Sequence, residues 1–293
     1  MRVNLRLNSK FALGVAKAPA AERRFASRTT GASIRDSWVS SDQNSVVEDP
    51  AECSGVKRSG TQIYASGGSR LLLPMLSVIA GSADATCFLA LGLFSAHVTG
   101  NLVLLTAHIV TGRADNACLI LSVPFFILII GLTRLLVAGL EVVNYNSLRV
   151  LLLLQFLMLS GSFVLCITSG HNRNPESGGI LIAGQLSVAA MAVQNGLGLI
   201  VFPRAPATAV MTTNITRLIM DTGEALLGHD PVEMAEARRR ANETWQVIIG
   251  FMAGAGLGAA CFAIVGTKSL GLPAGLALLA LVMSLDARLL SRN

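Results

Sequence analysis

Apolar blocks of about 20 residues alternate with short polar breaks from Leu71 to the end of the chain. A helix needs about 20 residues to cross the ~30 Å hydrocarbon core of a bilayer. The pattern therefore predicts an all-α integral membrane protein with six to eight transmembrane helices. The blocks are 71–91, 94–112, 117–140, 148–170, 180–202, 207–227, 245–267 and 270–290, of which 94–112 and 207–227 are short or carry charges.

Two polar triplets interrupt the apolar blocks at matching places. Thr-Gly-Asn occupies residues 99–101 and Thr-Thr-Asn occupies residues 212–214, which lie 113 residues apart. Polar side chains are costly where lipid surrounds them, so paired triplets are expected to line an interior shared by two halves. The spacing predicts a duplicated unit whose halves cover about 71–170 and 180–290.

Polar residues on both sides of the triplets extend this match. Asp84 precedes the first triplet by 15 residues, and Asn195 precedes the second by 17. His108 and Asp221 keep the 113-residue offset. We therefore expect Asp84 and Asn195 to be counterparts, with the neighbouring Gln194 offering further neutral hydrogen bonds.

The segment after each triplet carries polar residues along one helical face. Asn101 and His108 are seven residues apart, and Asn214, Arg217 and Asp221 follow at i, i+3 and i+7. Arg217 and Asp221 are four residues apart, so we expect them to form an ion pair that makes the burial of both charges tolerable.

The number of crossings depends on the two triplet segments. If both span the bilayer, there are eight helices and the repeats are parallel; if both are re-entrant, there are six and the repeats are inverted. Cytoplasmic loops are enriched in Lys and Arg, and this rule favours cytoplasmic N- and C-termini in both cases. Both arrangements place seven basic residues inside and three outside, so the rule leaves the number of crossings undecided. In the six-span arrangement the inside residues are Arg149, Arg204, Arg238, Arg239, Arg240, Arg288 and Arg292, and the outside residues are Arg113, Arg173 and Lys268. In the eight-span arrangement Arg113 and Arg173 exchange sides with Arg149 and Arg204.

Asp84 and the triplets each have a functional and a structural interpretation. A carboxylate inside a membrane favours a role in proton or cation binding, or an ion pair with His97, His108 or Arg217; the alternative is a structural hydrogen bond. Thr-Gly-Asn is typical of a helix start, and two helix N-termini inside a membrane would favour anionic ligands. The alternative is that Gly100 permits close packing while Thr and Asn bond between helices.

Two local patterns predict details of the second half. Residues 228–244 are expected to contain a solvated amphipathic helix at the membrane face, capped by Asp230 with Pro231 at its first position. Gly250, Gly254 and Gly258 form overlapping GxxxG spacings, which predict tight helix packing, either within the monomer or between subunits.

Residues 1–70 differ in composition from the rest of the chain. They hold 11 Lys/Arg and 6 Asp/Glu, a net charge of +5 out of the formal +6. The Arg- and Ser-rich part is typical of a disordered cytoplasmic tail or of an organellar transit peptide, and the tail is favoured. We therefore predict a basic tail and linker (1–70), a membrane domain (71–293), and location in the cell inner or plasma membrane, or in an organellar membrane if the tail is a transit peptide.

Several function classes have no support in the sequence. The five cysteines form no CxxC pair and have no histidine at metal-binding spacing, so neither a disulfide framework nor a metal or cofactor site is expected. HExxH and GxSxG motifs are absent from the sequence, so an enzyme is not predicted. The basic tail has no aromatic platform, and nucleic-acid binding is not predicted.

The motifs resemble those of a known family of multi-pass membrane proteins. The run 80–85 (Ala-Gly-Ser-Ala-Asp-Ala) followed by 94–105 (Phe-Ser-Ala-His-Val-Thr-Gly-Asn-Leu-Val-Leu-Leu) is similar to the YoaK family, also called DUF1275. The later 191–195 and 211–214 resemble its second signature, except that Thr213 stands where that family usually has glycine. The resemblance covers about 70–290 and implies the fold and membrane placement without a substrate.

The leading hypothesis is a transporter or permease-like protein with a polar site between the two halves. The alternative is a non-transporting scaffold or assembly protein whose intramembrane polar residues are structural. The partners expected are the lipid bilayer and a small solute or ion that the sequence does not identify, with homo-oligomers left open. The candidate substrate-binding residues are Asp84, His97, Thr99, Gly100, Asn101, His108, Gln194, Asn195, Thr212, Asn214, Arg217 and Asp221.

Overall fold

The structure is a computed structural model that describes residues 68–112, 117–169, 178–203 and 205–290, with the backbone alone at 68–70 and 286–290. All regular structure in these residues is helical, as predicted. The helices are α1 Gly68–Leu91, α2 Val98–Thr111, α3 Ala117–Val142, α4 Ser147–Ser169, α5 Gly178–Val201, α6 Met211–Leu227, α7 Pro231–Val265 and α8 Gly271–Leu290, with a 3₁₀ turn at Gly266–Leu270 between the last two. The predicted tail lies largely outside the described residues.

Five stretches are long and apolar enough to cross a membrane. They are Leu71–Leu91, Ala117–Val142, Ser147–Ser169, Gly178–Val201 and Pro231–Leu285. The last contains both α7 and α8 and is long enough for two crossings. In contrast, α2 has 14 residues and α6 has 17, about 21 and 26 Å, which is short for a full crossing.

Helices α1 and α5 form the centre of the bundle. Helix α1 packs on α7 and α8, and α5 packs on α3 and α4. The smaller helices follow the same scheme, because α2 packs on α3 and α6 packs on α7. Exchanging α1–α4 with α5–α8 therefore reproduces these packing relations.

Small residues join α1 to α7 along a parallel seam. A Cβ atom on Gly250 would lie 2.8 Å from the carbonyl oxygen of Pro74, and one on Gly258 would lie 2.9 Å from that of Ser82. Between them, a Cβ on Gly254 would overlap the carbonyl oxygen of Val78. The glycine pattern thus packs within the monomer, and residue numbers rise in the same direction along both helices.

The other long helices have directions that follow from similar contacts. Helix α5 runs parallel to α3, since Gly184 meets Cys118 and Gly196 meets Thr133. It runs antiparallel to α4, since Gln155 bonds to Gln194 while Ser162 bonds to Ala183.

Contacts within two further helix pairs give the remaining helix directions. Helix α8 is antiparallel to α4, since Arg149 donates to the carbonyl of Ser284 and Gly271 meets Phe163. Helix α1 is antiparallel to α5, since Gln194 donates to the carbonyl of Leu76 and Ser187 lies beside Cys87.

The six long helices therefore alternate in direction along the chain. Helices α1, α4 and α7 point one way, and α3, α5 and α8 point the other. Because α1 and α3 are opposed, the segment containing α2 begins and ends on one side of the bundle, and the same holds for α6. Of the two alternatives from the sequence, the directions of the described helices favour six crossings with inverted repeats, a form known from transporter folds.

One predicted element differs. Asp230 caps the helix through a bond from the Val232 amide (2.9 Å), with Pro231 at its first position, as expected. However, this helix does not end near residue 244 but continues through the apolar block as the 35-residue α7. Residues 231–244 contain no proline after Pro231 and no glycine, so nothing interrupts the helix before the apolar segment begins.

Candidate functional site

The chain turns back into the bundle after α1. Gly92 adopts a positive φ of 74° directly after the helix, and residues 92–97 return along it. Ser95, Ala96 and His97 then lie beside Asp84, seven residues, or about 10 Å, before the end of α1. Helix α2 starts at this depth and leads away from it, so its N-terminus lies inside the bundle.

Asp84 fastens this loop to α1. Its Oδ1 accepts from the amide of Ala96 (2.7 Å) and from the hydroxyl of Ser95 (3.3 Å), and its Oδ2 contacts Nδ1 of His97. Asp84 is 5% exposed, whereas the side chain of His97 is 36% exposed. Of the three partners expected for this carboxylate, His97 is the one that it contacts.

Asn101 closes the same loop from the first turn of α2. Its Oδ1 accepts from the amide of Phe94 and its Nδ2 donates to the carbonyl of Phe94, both at 2.8 Å. The Phe94 ring stacks on Phe88, with centroids 4.6 Å apart. A Cβ on Gly100 would lie 3.0 Å from this ring, so a side chain there would press on Phe94.

A second segment turns back into the bundle after α5. Thr208 lies beside Gln194, which is also seven residues before the end of its helix. Nε2 of Gln194 donates to the hydroxyl of Thr208 (3.0 Å) and to the carbonyl of Leu76 (2.9 Å), and its Oε1 accepts from Gln155 (2.6 Å). This loop is held by neutral groups where the first is held by a carboxylate.

The asparagine of the second triplet bonds to the loop before its helix, as the asparagine of the first triplet does. Nδ2 of Asn214 donates to the carbonyl of Ala207 (2.6 Å), again seven residues earlier. The residues before the two helices, His97 and Val210, have matching backbone angles (φ −99°, ψ 62° and φ −102°, ψ 75°). The two re-entrant segments are therefore local copies of one another.

The structural counterpart of Asp84 is Gln194 rather than Asn195. Ser95 and Thr208 keep the 113-residue offset, and each bonds to the long helix of its own half, at Asp84 and Gln194. Asn195 instead donates to the carbonyl of Met191 within α5 (3.0 Å). The second loop is three residues longer, which misled the spacing comparison.

Loop side chains explain why Thr213 replaces a glycine. Ala207 stands where the first half has Phe94, and no ring then presses on the first turn of α6. Thr213 is exposed, and the two helices still start alike. The departure from the family pattern is thus compensated locally.

The expected ion pair between Arg217 and Asp221 is not formed. Asp221 instead accepts from Nε of Arg240 on α7 (2.9 Å), and Arg217 is exposed. The reason is geometric, because Asn214, Asp221 and Ala225 form the face of α6 that meets α7 and Arg217 points away from it.

The structure brings only some of the predicted residues together. Asp84, His97 and Asn101 meet at the first re-entrant segment, and Gln194 and Asn214 belong to the second. Thr99 and Thr212 are exposed, whereas His108 lies on the less exposed face of α2. Sequence reasoning missed Ser95, Thr208 and Gln155, although the first two share the offset of the triplets and could have been found from it.

Removing the two triplet asparagines will have unequal effects on stability. Asn101→Ala leaves the amide and carbonyl of Phe94 without partners, a loss of roughly 2–5 kcal/mol. Asn214→Ala removes one bond and also an oxygen, Oδ1, that has no partner among the described residues, so its effect will be smaller. Thermal unfolding in detergent measures both, with the exposed Thr99→Ala as control; equal losses would contradict this assignment.

The fold of the described residues is that of an all-α membrane protein, with six long helices that alternate in direction and two segments that turn back into the bundle. The chain belongs to the family described as protein of unknown function (DUF1275), which it matches over residues 72–283. This match includes both re-entrant segments and confirms the resemblance read from the motifs. No curated protein and no solved structure matches the chain.

Proposed function

We propose that this protein is a membrane transporter whose polar site lies where the first re-entrant segment meets α1. The observation that carries the proposal is the Asp84–His97 contact at the inner end of a re-entrant helix, in a bundle of inverted repeats. Ionisable side chains inside membranes usually serve ion or proton pathways. Transporters with inverted repeats place their sites near broken helices at mid-membrane.

The difference between the halves supports a proton-coupled mechanism. Asp84 and His97 can exchange a proton, whereas Gln194, Gln155 and Thr208 cannot titrate. Protonation of Asp84 weakens its hold on Ala96 and Ser95, which alters the loop at the start of α2. The second re-entrant segment has no titratable contact of this kind and stays in place. The first half therefore responds to the proton, while the second half holds the bundle in position.

Phe251 of α7 connects the two halves at this site. Its ring meets the imidazole of His97 edge-on, with centroids 5.4 Å apart. A movement of His97 therefore acts on α7, the helix that packs along α1. We further propose that both termini are cytoplasmic, in agreement with the distribution of basic residues.

Transport in proteoliposomes tests the proposal. The panel contains inorganic phosphate, sulfate, short carboxylates, amino acids, ammonium and alkali cations, and the readout is current or internal pH under an imposed pH gradient. We expect at least one solute to give a signal that Asp84→Asn lowers at least tenfold. The control is Thr106→Ala on the exposed face of α2. No signal from the panel, or full activity of Asp84→Asn, would contradict the proposal.

A non-transporting scaffold is the second candidate. It is favoured by the observation that Asn101 and Asn214 bind loop backbone, a structural use of both triplets. In a scaffold every buried polar residue stabilises the fold, so Asp84→Asn should destabilise it. Asp84 fastens the loop in either account, so Asp84→Asn lowers stability in both. The proteoliposome assay separates the two candidates, because a scaffold gives no solute signal.

A further inference from the structure

Helix α7 is much longer than its counterpart α3 at the N-terminal end. Gly250 of α7 contacts Pro74 of α1, and Cys118 of α3 contacts Gly184 of α5. In the repeat, α7 corresponds to α3 and α1 corresponds to α5, so the two contacts mark equivalent points. Helix α3 begins one residue before this point, whereas α7 begins 19 residues before it. The second half thus has an extension of about 27 Å that the first half lacks. We call residues 211–227 and 231–246 the α6–α7 arm.

The far end of this arm lies beyond the lipid. The register of the seam places Leu71, where the apolar stretch of α1 begins, opposite Val247. The end of α6 lies against Met234, 13 residues or about 20 Å further out. A headgroup layer adds about 6 Å on each side of the hydrocarbon. Even at a tilt of about 40°, the end of the arm stands in water on the side where α1 begins.

The arm exposes large apolar side chains from the membrane surface to its outer end. Ile219, Met220 and Leu227 are 65%, 70% and 80% exposed. They line a groove of about 530 Å³ between the end of α6 and the start of α7. The charged residues that line it are all acidic: Glu224, Asp230 and Glu233. An apolar groove with a charged rim that opens outward from the membrane surface is typical of a site that binds an amphipathic helix.

We propose that this groove docks a basic amphipathic helix of another protein. The apolar face of such a helix covers Ile219, Met220 and Leu227, and its Lys or Arg side chains pair with the acidic rim. Two other occupants fit less well. Anionic lipid headgroups would be repelled by the carboxylates, and a second copy docking groove to groove would bring two acidic rims together.

Site-specific photo-cross-linking of the full chain in its native membrane tests this. A benzoylphenylalanine at Met220 is expected to give a discrete adduct, and the same group at Val110 on α2 is the control position. The cross-linked peptide, identified by mass spectrometry, should be a Lys- or Arg-rich amphipathic segment of a different protein. The double variant Glu224→Gln, Glu233→Gln should lower the yield at least fivefold, whereas Glu243→Gln, which lies outside the groove, should not.

Each remaining outcome overturns the proposal. These are an adduct with phospholipid, an adduct with a second copy, an adduct with a peptide that is not basic, a yield unaffected by the double variant, and no adduct at all. Thermal unfolding of the variants shows that the fold persists. The result is independent of transport activity, since the residues that line the groove lie apart from the Asp84–His97 contact.

Discussion

Gly254→Ala destabilises the protein by about 3 kcal/mol, the upper end of the usual cost of overpacking. The added methyl group overlaps the carbonyl oxygen of Val78, and a helix backbone cannot turn aside as a side chain can. The two helices must therefore separate along the whole seam, including the contacts of Gly250 and Gly258. Thermal or denaturant unfolding of the purified protein in detergent measures the change.

The chain offers a matched control two residues away. Gly256 lies on the same helix, and a Cβ there would meet no atom within 4 Å. Gly256→Ala should leave stability unchanged or raise it slightly, because alanine favours a helix by up to about 1 kcal/mol relative to glycine. If both variants unfold alike, the parallel seam between α1 and α7 is incorrect.

Gln194→Glu destabilises the protein by roughly 3–5 kcal/mol, because it places an unpaired charge in a buried neutral network. Gln194 is 1% exposed, and it bonds to the amide of Gln155, the hydroxyl of Thr208 and the carbonyl of Leu76. None of these groups can neutralise a carboxylate. The deficit should shrink at low pH, where the glutamate is protonated, as measured by unfolding at several pH values.

The comparison with Asp84 gives this result its meaning. Asp84 holds the equivalent position but contacts His97, so its charge has a partner. The exposed Gln246→Glu controls for the change in net charge. If Gln194→Glu is as stable as the wild type, the two re-entrant segments are electrostatically alike. The assignment of the charged site to the first half alone would then be wrong.

Local patterns in the sequence predicted much of the fold. Apolar block lengths located most of the described helices, and the GxxxG spacing located the α1–α7 seam. The Asp230 cap was also readable, because a cap depends on its immediate neighbours. These features share one property, that each is determined over a few turns of chain.

Features that depend on the path of a loop could not be read in the same way. Three partners were open to Asp84, and only the return of residues 92–97 into the bundle selects His97. Arg217 and Asp221 have the right spacing for an ion pair, but α7 lies beside α6 and its Arg240 forms the ion pair with Asp221 instead. Gln155 was passed over, because a single glutamine in an apolar helix does not reveal which helix it faces.

The inverted arrangement of six crossings is the central claim, and accessibility labelling of single cysteines tests it most directly. In a background without native cysteines, Arg113→Cys and Arg173→Cys should be labelled from one side of the membrane. Tyr145→Cys and His229→Cys should be labelled from the other. Labelling of positions 113, 173 and 229 from the same side, with 145 opposite, would show that the α2 and α6 segments cross the bilayer, and it would contradict the inverted repeat.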